Sequence, residues 1–564
     1  METESCLFLY KAGSRGLCVV PVVFSWSFGR RARRLCFRKG LSREDAQTWS
    51  WTSTASSRMT MRQGRRRRAL TSLGRRTLLV GDSIAGSALT GLRAALRRRV
   101  ILAVVLSLVA LAVPTPVSAA GGLRSEQSAE EGYSFLPIAF LGDTAPKGGQ
   151  FVVDFEPYTM NARGDIAFAA DLTTGGEGVF VWRAGEIVEI MRSGDPAPGG
   201  GTFEGGVWAD TAVNTRGDVA FAFSLSPFST PFGVNSGVFR FSSATQTLEP
   251  VVLPFITPAP DGSTFSGATF STSMNDRGEI AFAGLIPTDE GIRIPGEEYV
   301  GLGSGVFMVD SRGSISSVAG PGTPAPGGGV FDFAGFPRLN DVGDVVFNGH
   351  VAGGECLHFD FLGFPQGVWI NCFSGLYVWS RTEGVRAIVR PGDPAPGGGA
   401  FRWAERGKVN KRGDVAFFAD LTSPPGVFER RGVFLHSGRS IVPIVRPGDP
   451  LPGGGSAATA KTRYDHDLND RGEVTFQAIL DTDDNEDGLR DTGQYLWSRG
   501  SVRLVLRTGT VITGVGTVAH VVEQDAVGTP TPFAGTILDN RGHVVSQVTL
   551  EDGRGVLLLA TPNR

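Results

Sequence analysis

Seven copies of one eight-residue pattern run through this chain. A period of this kind belongs to folds made of units that bury their faces against one another. The copies read Asn161-Ala-Arg-Gly-Asp-Ile-Ala-Phe168, Asn214-Thr-Arg-Gly-Asp-Val-Ala-Phe221, Asn275-Asp-Arg-Gly-Glu-Ile-Ala-Phe282, Asn340-Asp-Val-Gly-Asp-Val-Val-Phe347, Asn410-Lys-Arg-Gly-Asp-Val-Ala-Phe417, Asn469-Asp-Arg-Gly-Glu-Val-Thr-Phe476 and Asp539-Asn-Arg-Gly-His-Val-Val-Ser546. An Asn side chain bonds readily to backbone two residues on, and Gly takes positive φ without a Cβ clash. The pattern therefore predicts a tight turn leading into a short, apolar strand.

The segments between copies repeat as well. After Ile166–Leu172 come Gly178-Val-Phe-Val-Trp182 and the alternating Ile187-Val-Glu-Ile-Met191. Gly194-Asp-Pro-Ala-Pro-Gly-Gly-Gly201 then breaks regular structure, because Pro lacks a donor and fixes φ. Breakers of the same form stand at Gly392–Gly399 and Gly448–Gly455, with looser ones at Thr257–Gly262 and Thr323–Gly329. A strand near Phe203 leads into the next turn, which gives four strands per repeat. The expected fold is all-β: a seven-bladed β-propeller of four-stranded antiparallel blades over residues 133–564. Phe135–Phe140 reads as a fourth strand and Gly555–Ala560 as a third. The N-terminal strand is expected to complete the last blade and remove an exposed sheet edge.

Ahead of the repeats the composition changes. Residues 1–119 carry 21 Lys and Arg against 5 Asp and Glu, which leaves 33 against 51 for the rest. So acidic a body is not expected to bind nucleic acid or anionic lipid. Arg97, Arg98 and Arg99 precede an apolar run, Val100–Val113, and then Pro114-Thr-Pro-Val-Ser-Ala-Ala120. A positive flank, an apolar stretch and small residues near Ala119 or Ala120 form a secretory signal over 100–120. The run of about 14 residues is short for a membrane span, so none is expected in the mature chain. Residues 1–99 are read as a basic leader, disordered or mis-assigned, with the true start nearer residue 100 and Met59 and Met61 as candidates. A twin-arginine reading of Arg75-Arg76 is weaker, because the residues after it are less apolar. The expected location is secreted, periplasmic or in the cell envelope, and the expected state is monomeric.

Cys356 and Cys372 are the two cysteines of the exported body and are expected to form a disulfide, worth roughly 3 kcal/mol through loop entropy. His350, His358 and Asp360 lie near them, but no Cys-x-x-Cys spacing marks a zinc site. The sharpest local motif starts at Asp483: Asp-x-Asn-x-Asp-Gly-x-x-Asp. Calcium takes six to eight hard oxygens, and Asp483, Asn485, Asp487 and Asp491, with a carbonyl near Leu489, offer such a set as a structural clip. The twelfth position is Gln494, so no EF-hand is completed. Calcium is the one cofactor expected. The Arg-Gly-Asp triplets at Arg163, Arg216 and Arg412 fall inside the repeat turn and read as turn residues. Their arginines are available to pair with the breaker acids Asp143, Asp195, Asp393 and Asp449. Asp465-His466-Asp467 is the one tight acid–histidine group, and no nucleophile motif accompanies it.

The Asn-x-x-Gly-x-x-Ala-Phe pattern, recurring over about residues 133–560, resembles the bacterial tandem-repeat proteins described by that repeat. The resemblance implies export and a propeller-like body, and no established activity. Many such proteins carry a C-terminal anchoring signal. Here Thr561-Pro-Asn-Arg564 follows the last strand with no apolar tail, so attachment by that route is not expected. No catalytic residues stand out. The function expected is an extracellular binding or scaffolding module for an unknown glycan or protein ligand, with residues 349–373 and 481–493 on the ligand face. The alternatives are a propeller enzyme, such as a glycan lyase or hydrolase, and a purely structural envelope protein. Carboxylates converging in one pocket favour the enzyme, and a small, apolar channel favours binding.

Overall fold

The computed structural model describes residues 132–563 apart from 205–209, 228–235, 289–300, 355, 360–367, 373, 423–429, 459–464, 486 and 522–534; before 132 it describes the backbone of four strands. The chain divides into two compact units, Met1–Gly121 and Gly122–Arg564. In the first, Thr3–Lys11 pairs antiparallel with Leu17–Ser25, and Trp49–Ser53 with Met59–Gln63. All further description concerns the second.

No helix occurs among the described residues, and the strands follow the repeat. The first repeat is an antiparallel sheet of Phe151–Met160, Ile166–Leu172, Glu177–Arg183 and Glu186–Arg192 in chain order. The fourth repeat uses Phe331–Leu339, Val345–Val351, Gly375–Ser380 and Gly384–Val389. The fifth uses Phe401–Val409, Val415–Leu421, Arg430–Ser437 and Ser440–Val445. The sixth uses His466–Leu468, Val474–Ile479, Thr492–Ser498 and Ser501–Arg507. The hydrogen-bonded sheets nevertheless do not resolve into seven separate four-stranded blades. A single bridge, Ser236 to Ala268, joins the second and third repeats into one nine-stranded sheet. The last sheet has six strands, because a short pair at Val511–Ile512 and Gly516–His520 extends one side and Tyr133–Phe140 pairs with Gly555–Pro562 on the other.

Each turn forms as its sequence dictates. In the fifth, the Asn410 Oδ1 accepts from the Arg412 and Asp414 amides at 3.0 Å each, and Gly413 has φ of +78°. The Asn410 amide reaches beyond its own repeat to the carbonyl of Asn469, 3.1 Å away. The same outward bond runs from Asn161 to Asn214, from Asn275 to Asn340, from Asn340 to Asn410 and from Asn469 to Asp539. In the second turn the Asn214 amide meets the Met274 sulfur instead, and the last turn reaches the first through Arg541 and the Ala162 carbonyl. The turns therefore form a continuous polar ring.

In the six motifs that end in Phe, that ring stacks on the aromatic of the third strand. Phe168–Phe180, Phe221–Phe239, Phe282–Phe307, Phe347–Tyr377, Phe417–Phe434 and Phe476–Tyr495 all lie 5.4–5.8 Å apart at 23–28°. The Gly two residues before the third-strand ring gives it room. A Cβ on Gly432 would stand 2.7 Å from the Val445 carbonyl and 3.2 Å from the Phe434 ring. The breaker folds back on itself, with the Ala395 amide on Gly399 O and the Gly392 amide on Phe401 O, and so delivers the next inner strand. Its acids cap their own strand ends, Asp393 taking the Arg390 amide and Asp449 the Arg446 amide at 2.8 Å. The turn arginines pair within their own turns, as Arg412 does with Asp414 and Arg277 with Glu279. The expected pairing of turn arginines with breaker acids is therefore replaced by these shorter-range contacts.

The apolar core is divided among the junctions between repeats. One cluster joins Ala167 and Val179 of the first repeat to Phe203 and Phe221 of the second. Another joins Phe151 and Phe168 of the first repeat to Ile537, Val545 and Leu557 of the last. The first strands of successive repeats pack in series, and the last of them, Thr536–Leu538, packs back on Phe151–Met160. Repeated small sheets with their first strands innermost and the last packed on the first form a β-propeller arrangement.

Candidate functional site

Several charged side chains stand on or beside the inner strands. Arg406, at φ of +58° in an irregular stretch of the fifth repeat's inner strand, and Lys408 both reach the next repeat, where Asp465 and Asp467 flank His466. They meet as two rungs. Arg406 Nη1 lies 2.8 Å from Asp465 Oδ1, and Lys408 Nζ lies 3.8 Å from Asp467 Oδ1. Across the same space Arg338 of the fourth repeat pairs with Asp210 of the second at 3.1 Å. Ser271 of the third repeat lies between them, accepting from Arg338 at 3.2 Å and donating to Asp210 at 3.1 Å. An ion pair that skips a repeat spans the space the inner strands enclose, so these groups line the axis.

The axial groups are embedded in protein yet reachable. Side-chain exposure is 21% for Lys408 and 14% for Asp467. Burial pulls the Lys408 ammonium below its ordinary pKa; the Asp467 charge opposes this and Arg338 adds to it. Burial pushes the Asp467 carboxyl up, against the Lys408 charge and the Leu538 amide, which donates to Asp467 Oδ2 at 2.9 Å. Asp154, on the first repeat's inner strand, is also pushed up by burial, while Gln547 donates to it at 2.8 Å. Each axial carboxylate is thus met by a cation or an amide. Among the described residues the carboxylates Asp210, Asp465 and Asp467 converge with three cations, so the axis is a polar set able to orient hydrogen-bonding ligands and not a small, apolar channel.

The residues singled out by sequence fare differently. Asp465-His466-Asp467 is not one group, because alternation turns His466 into the buried side while both acids face the axis. Cys356 and Cys372 stand directly opposite in the ladder of the hairpin Cys356–Phe359 and Val368–Cys372. Their side chains, with those of His358 and Asp360, lie outside the described residues. His350 Nδ1 lies 2.6 Å from Asp332 Oδ1. A cleft of about 480 Å³ opens there, lined by Tyr377, Arg390 and Arg402 among others. In the acidic loop, Asp491 is fully buried, whereas Asp483, Asn485 and Asp487 stay on the surface turn. Among the described residues no three His, Cys, Asp or Glu side chains converge as a ready metal site.

Arg338, Lys408 and Asp210 escaped sequence reasoning because they match no motif. One signal was present. Phe401–Val409 reads Phe-Arg-Trp-Ala-Glu-Arg-Gly-Lys-Val, four charges in a strand directly before a turn that starts an apolar one.

The model of a family described as "Family of unknown function (DUF7453)" matches residues 118–371 and 362–552. No curated protein matches. Among solved structures, the chain is similar to the β-propeller domain of the Trilobed protease from Pyrococcus furiosus, described as having an open velcro topology. Identity is 10% and the TM-score 0.40, over 73% of this chain and 98% of that one. It is similar also to an ulvan lyase of polysaccharide lyase family PL25, at 10% identity and TM-score 0.40 over 76% and 98%. A third is AofleA from Arthrobotrys oligospora, at 11% identity and TM-score 0.30 over 70% and 94%. Likeness at this level assigns this chain no activity.

Proposed function

The chain belongs to this family of unknown function, and we propose that it is an exported seven-bladed propeller that binds a glycan or protein ligand through its polar axis. The axial cluster carries the proposal. Three cations and three acids from the inner strands of the second, fourth, fifth and sixth repeats face one space, and each remains partly accessible. A channel of this kind recognises a ligand rich in hydroxyl, amide or charged groups by exchanging internal partners for ligand ones. The reading of seven blades rests on the seven turns and on inner strands that pack in series back to the first. Closure by the N-terminal strand is supported by the pairing of Tyr133–Phe140 with Gly555–Pro562. Export is supported by the basic–apolar–small sequence before residue 121 and by a family match that begins at residue 118. The opposed Cys356 and Cys372 backbones support a disulfide in the exported chain.

The test is a glycan and peptide panel against residues 121–564, with Arg338→Gln and Lys408→Gln beside the native protein. The expected result is a hit that weakens at least tenfold in both variants while their melting temperatures stay near native. A hit that both variants keep moves the ligand site off the axis. No hit across the panel favours the structural envelope role.

One observation supports a catalytic reading. Lys408 Nζ stands 3.8 Å from Asp467 Oδ1 in a partly enclosed space, with burial disfavouring both charges, and such a pair is the kind that moves protons in enzymes. Turnover of a panel glycan, abolished in Lys408→Gln with binding retained, would replace the binding-module reading by a lyase or hydrolase.

A further inference from the structure

The loop between the second and third strands of the sixth repeat, residues 480–491, has no counterpart of like composition in the other repeats. Its backbone is bent by its own side chains. Gly488, at φ of +83°, donates to Asp483 Oδ2 at 3.2 Å, and the Leu489 amide donates to Asp487 Oδ1 at 2.8 Å. Asn485 Nδ2 donates to Asp487 Oδ2 at 2.9 Å, and His520 Nε2 lies 3.0 Å from that same oxygen. These contacts alone describe an acidic turn.

Two buried oxygens say more. Asp491 has no exposed surface, and its two carboxylate oxygens differ. Oδ2 takes the Thr482 hydroxyl, the Asp484 amide at 3.0 Å and Arg507 Nη2 at 3.2 Å. Oδ1 is buried and has no partner, and the same is true of Asn485 Oδ1. Leaving a buried acceptor unmade is costly, and more so for a charged one. The two orphans stand at the third and ninth positions of a single Asp-x-Asn-x-Asp-Gly-x-x-Asp run. Hard oxygens spaced in this way on a glycine-bearing turn are the donor set of calcium.

We propose that this loop binds one calcium ion through Asp483, Asn485, Asp487 and Asp491 side chains and the Leu489 carbonyl. Asp491 serves two partners, giving Oδ1 to the ion and Oδ2 to Arg507, which anchors the loop to the outer strand Ser501–Arg507. Gln494 takes no part. Its amide bonds to Thr475 and to the Phe476 carbonyl, and Ser546 donates to its Oε1. Binding draws Asp483 and Asp487 toward Asn485 and Asp491 and breaks the Asn485–Asp487 contact. The ion therefore fixes a loop that His520 already ties to the next repeat.

The test is calorimetric titration of chelator-treated residues 121–564 with calcium chloride and, separately, with magnesium chloride. The melting temperature is followed in parallel. One calcium per chain is expected, with a Kd in or below the range of about 10⁻⁴–10⁻³ M common for extracellular modules. At saturation the melting temperature is expected to rise by about 2 °C or more. Asp483→Asn, at an exposed position, and Asn485→Ala, at a partly exposed one with its Oδ1 buried, are expected to weaken calcium at least tenfold while melting near native without calcium. Asp491→Asn is the stronger variant, but its burial makes misfolding a separate outcome, so the two surface variants decide. No calcium heat up to 10-fold above about 1 mM, an equal response to magnesium, or unchanged affinity in both surface variants overturns the proposal.

Discussion

The fifth and sixth repeats are neighbours with one backbone plan and two kinds of interior. In the fifth, Phe401, Phe417 and Phe434 make an edge-and-stack trio, with Phe401 5.2 Å from Phe434 at 80°. In the sixth, Ala457 follows the breaker where Phe401 does in the fifth, and the stacked pair is Phe476 with Tyr495. Around that pair lie Thr475, Gln477, Gln494 and Asp491, all buried. The turn, the glycine before the third-strand ring and the capping acid are alike in both. The difference shows that the repeat's frame is held by its turns and backbone, which leaves the interior free to carry polar groups where an insert has to be anchored.

The largest expected effect breaks the apolar side of this contrast. Phe417→Ala, at a site with no exposed surface, is expected to cost about 3–5 kcal/mol in denaturant unfolding. A loss below about 1 kcal/mol would mean that the trio is not what holds the fifth repeat together. The shared frame is probed next. Asn410→Ala and Asn469→Ala each remove two accepted backbone amides and an outward bond, so each is expected to cost about 2–3 kcal/mol. Unequal losses would show that the frame depends on the interior after all.

Acid separates the repeats more gently. Burial opposes ionisation of the Asp414 carboxyl, but Ser437, Asn410 and Arg412 together outweigh it and hold the pKa below the usual carboxylate value. A depressed folded pKa contributes stability above the unfolded value that is lost as pH falls through the folded one. Amide exchange at residues 410–414 is therefore expected to stay slow at pH 7 and to quicken below about pH 4. Protection unchanged to pH 2 would remove Asp414 from the account. The Tyr495 hydroxyl is buried without a partner, and burial pushes its pKa up. Tyr495→Phe is accordingly expected to be neutral or to stabilise by up to about 1 kcal/mol, and a clear loss would reveal a partner for that hydroxyl. Smallest is Arg412→Ala, since the arginine is 53% exposed; less than about 1 kcal/mol is expected.

Much of the frame was legible in the sequence because local chemistry decides it. Asn410 and Gly413 settle the turn, Gly432 and Phe434 the stack, and Pro394 the break, each within a few residues. The axial site was not legible for the opposite reason. Arg338 finds Asp210 from two repeats away, and nothing near either residue announces the other. The joining of the second and third repeats into one sheet rests on a single bridge between Ser236 and Ala268, which no propensity encodes. The acidic loop lies between these cases. Its spacing was plain, whereas the burial of Asp491 against Arg507 depends on how the outer strand passes over it.

The ring of turns has a direction. Five of the six turn asparagines, all but Asn214, donate forward into a carbonyl that belongs to the following repeat. A lesion at one asparagine therefore strands an acceptor downstream, so local loosening is expected to surface one sheet later than the altered residue.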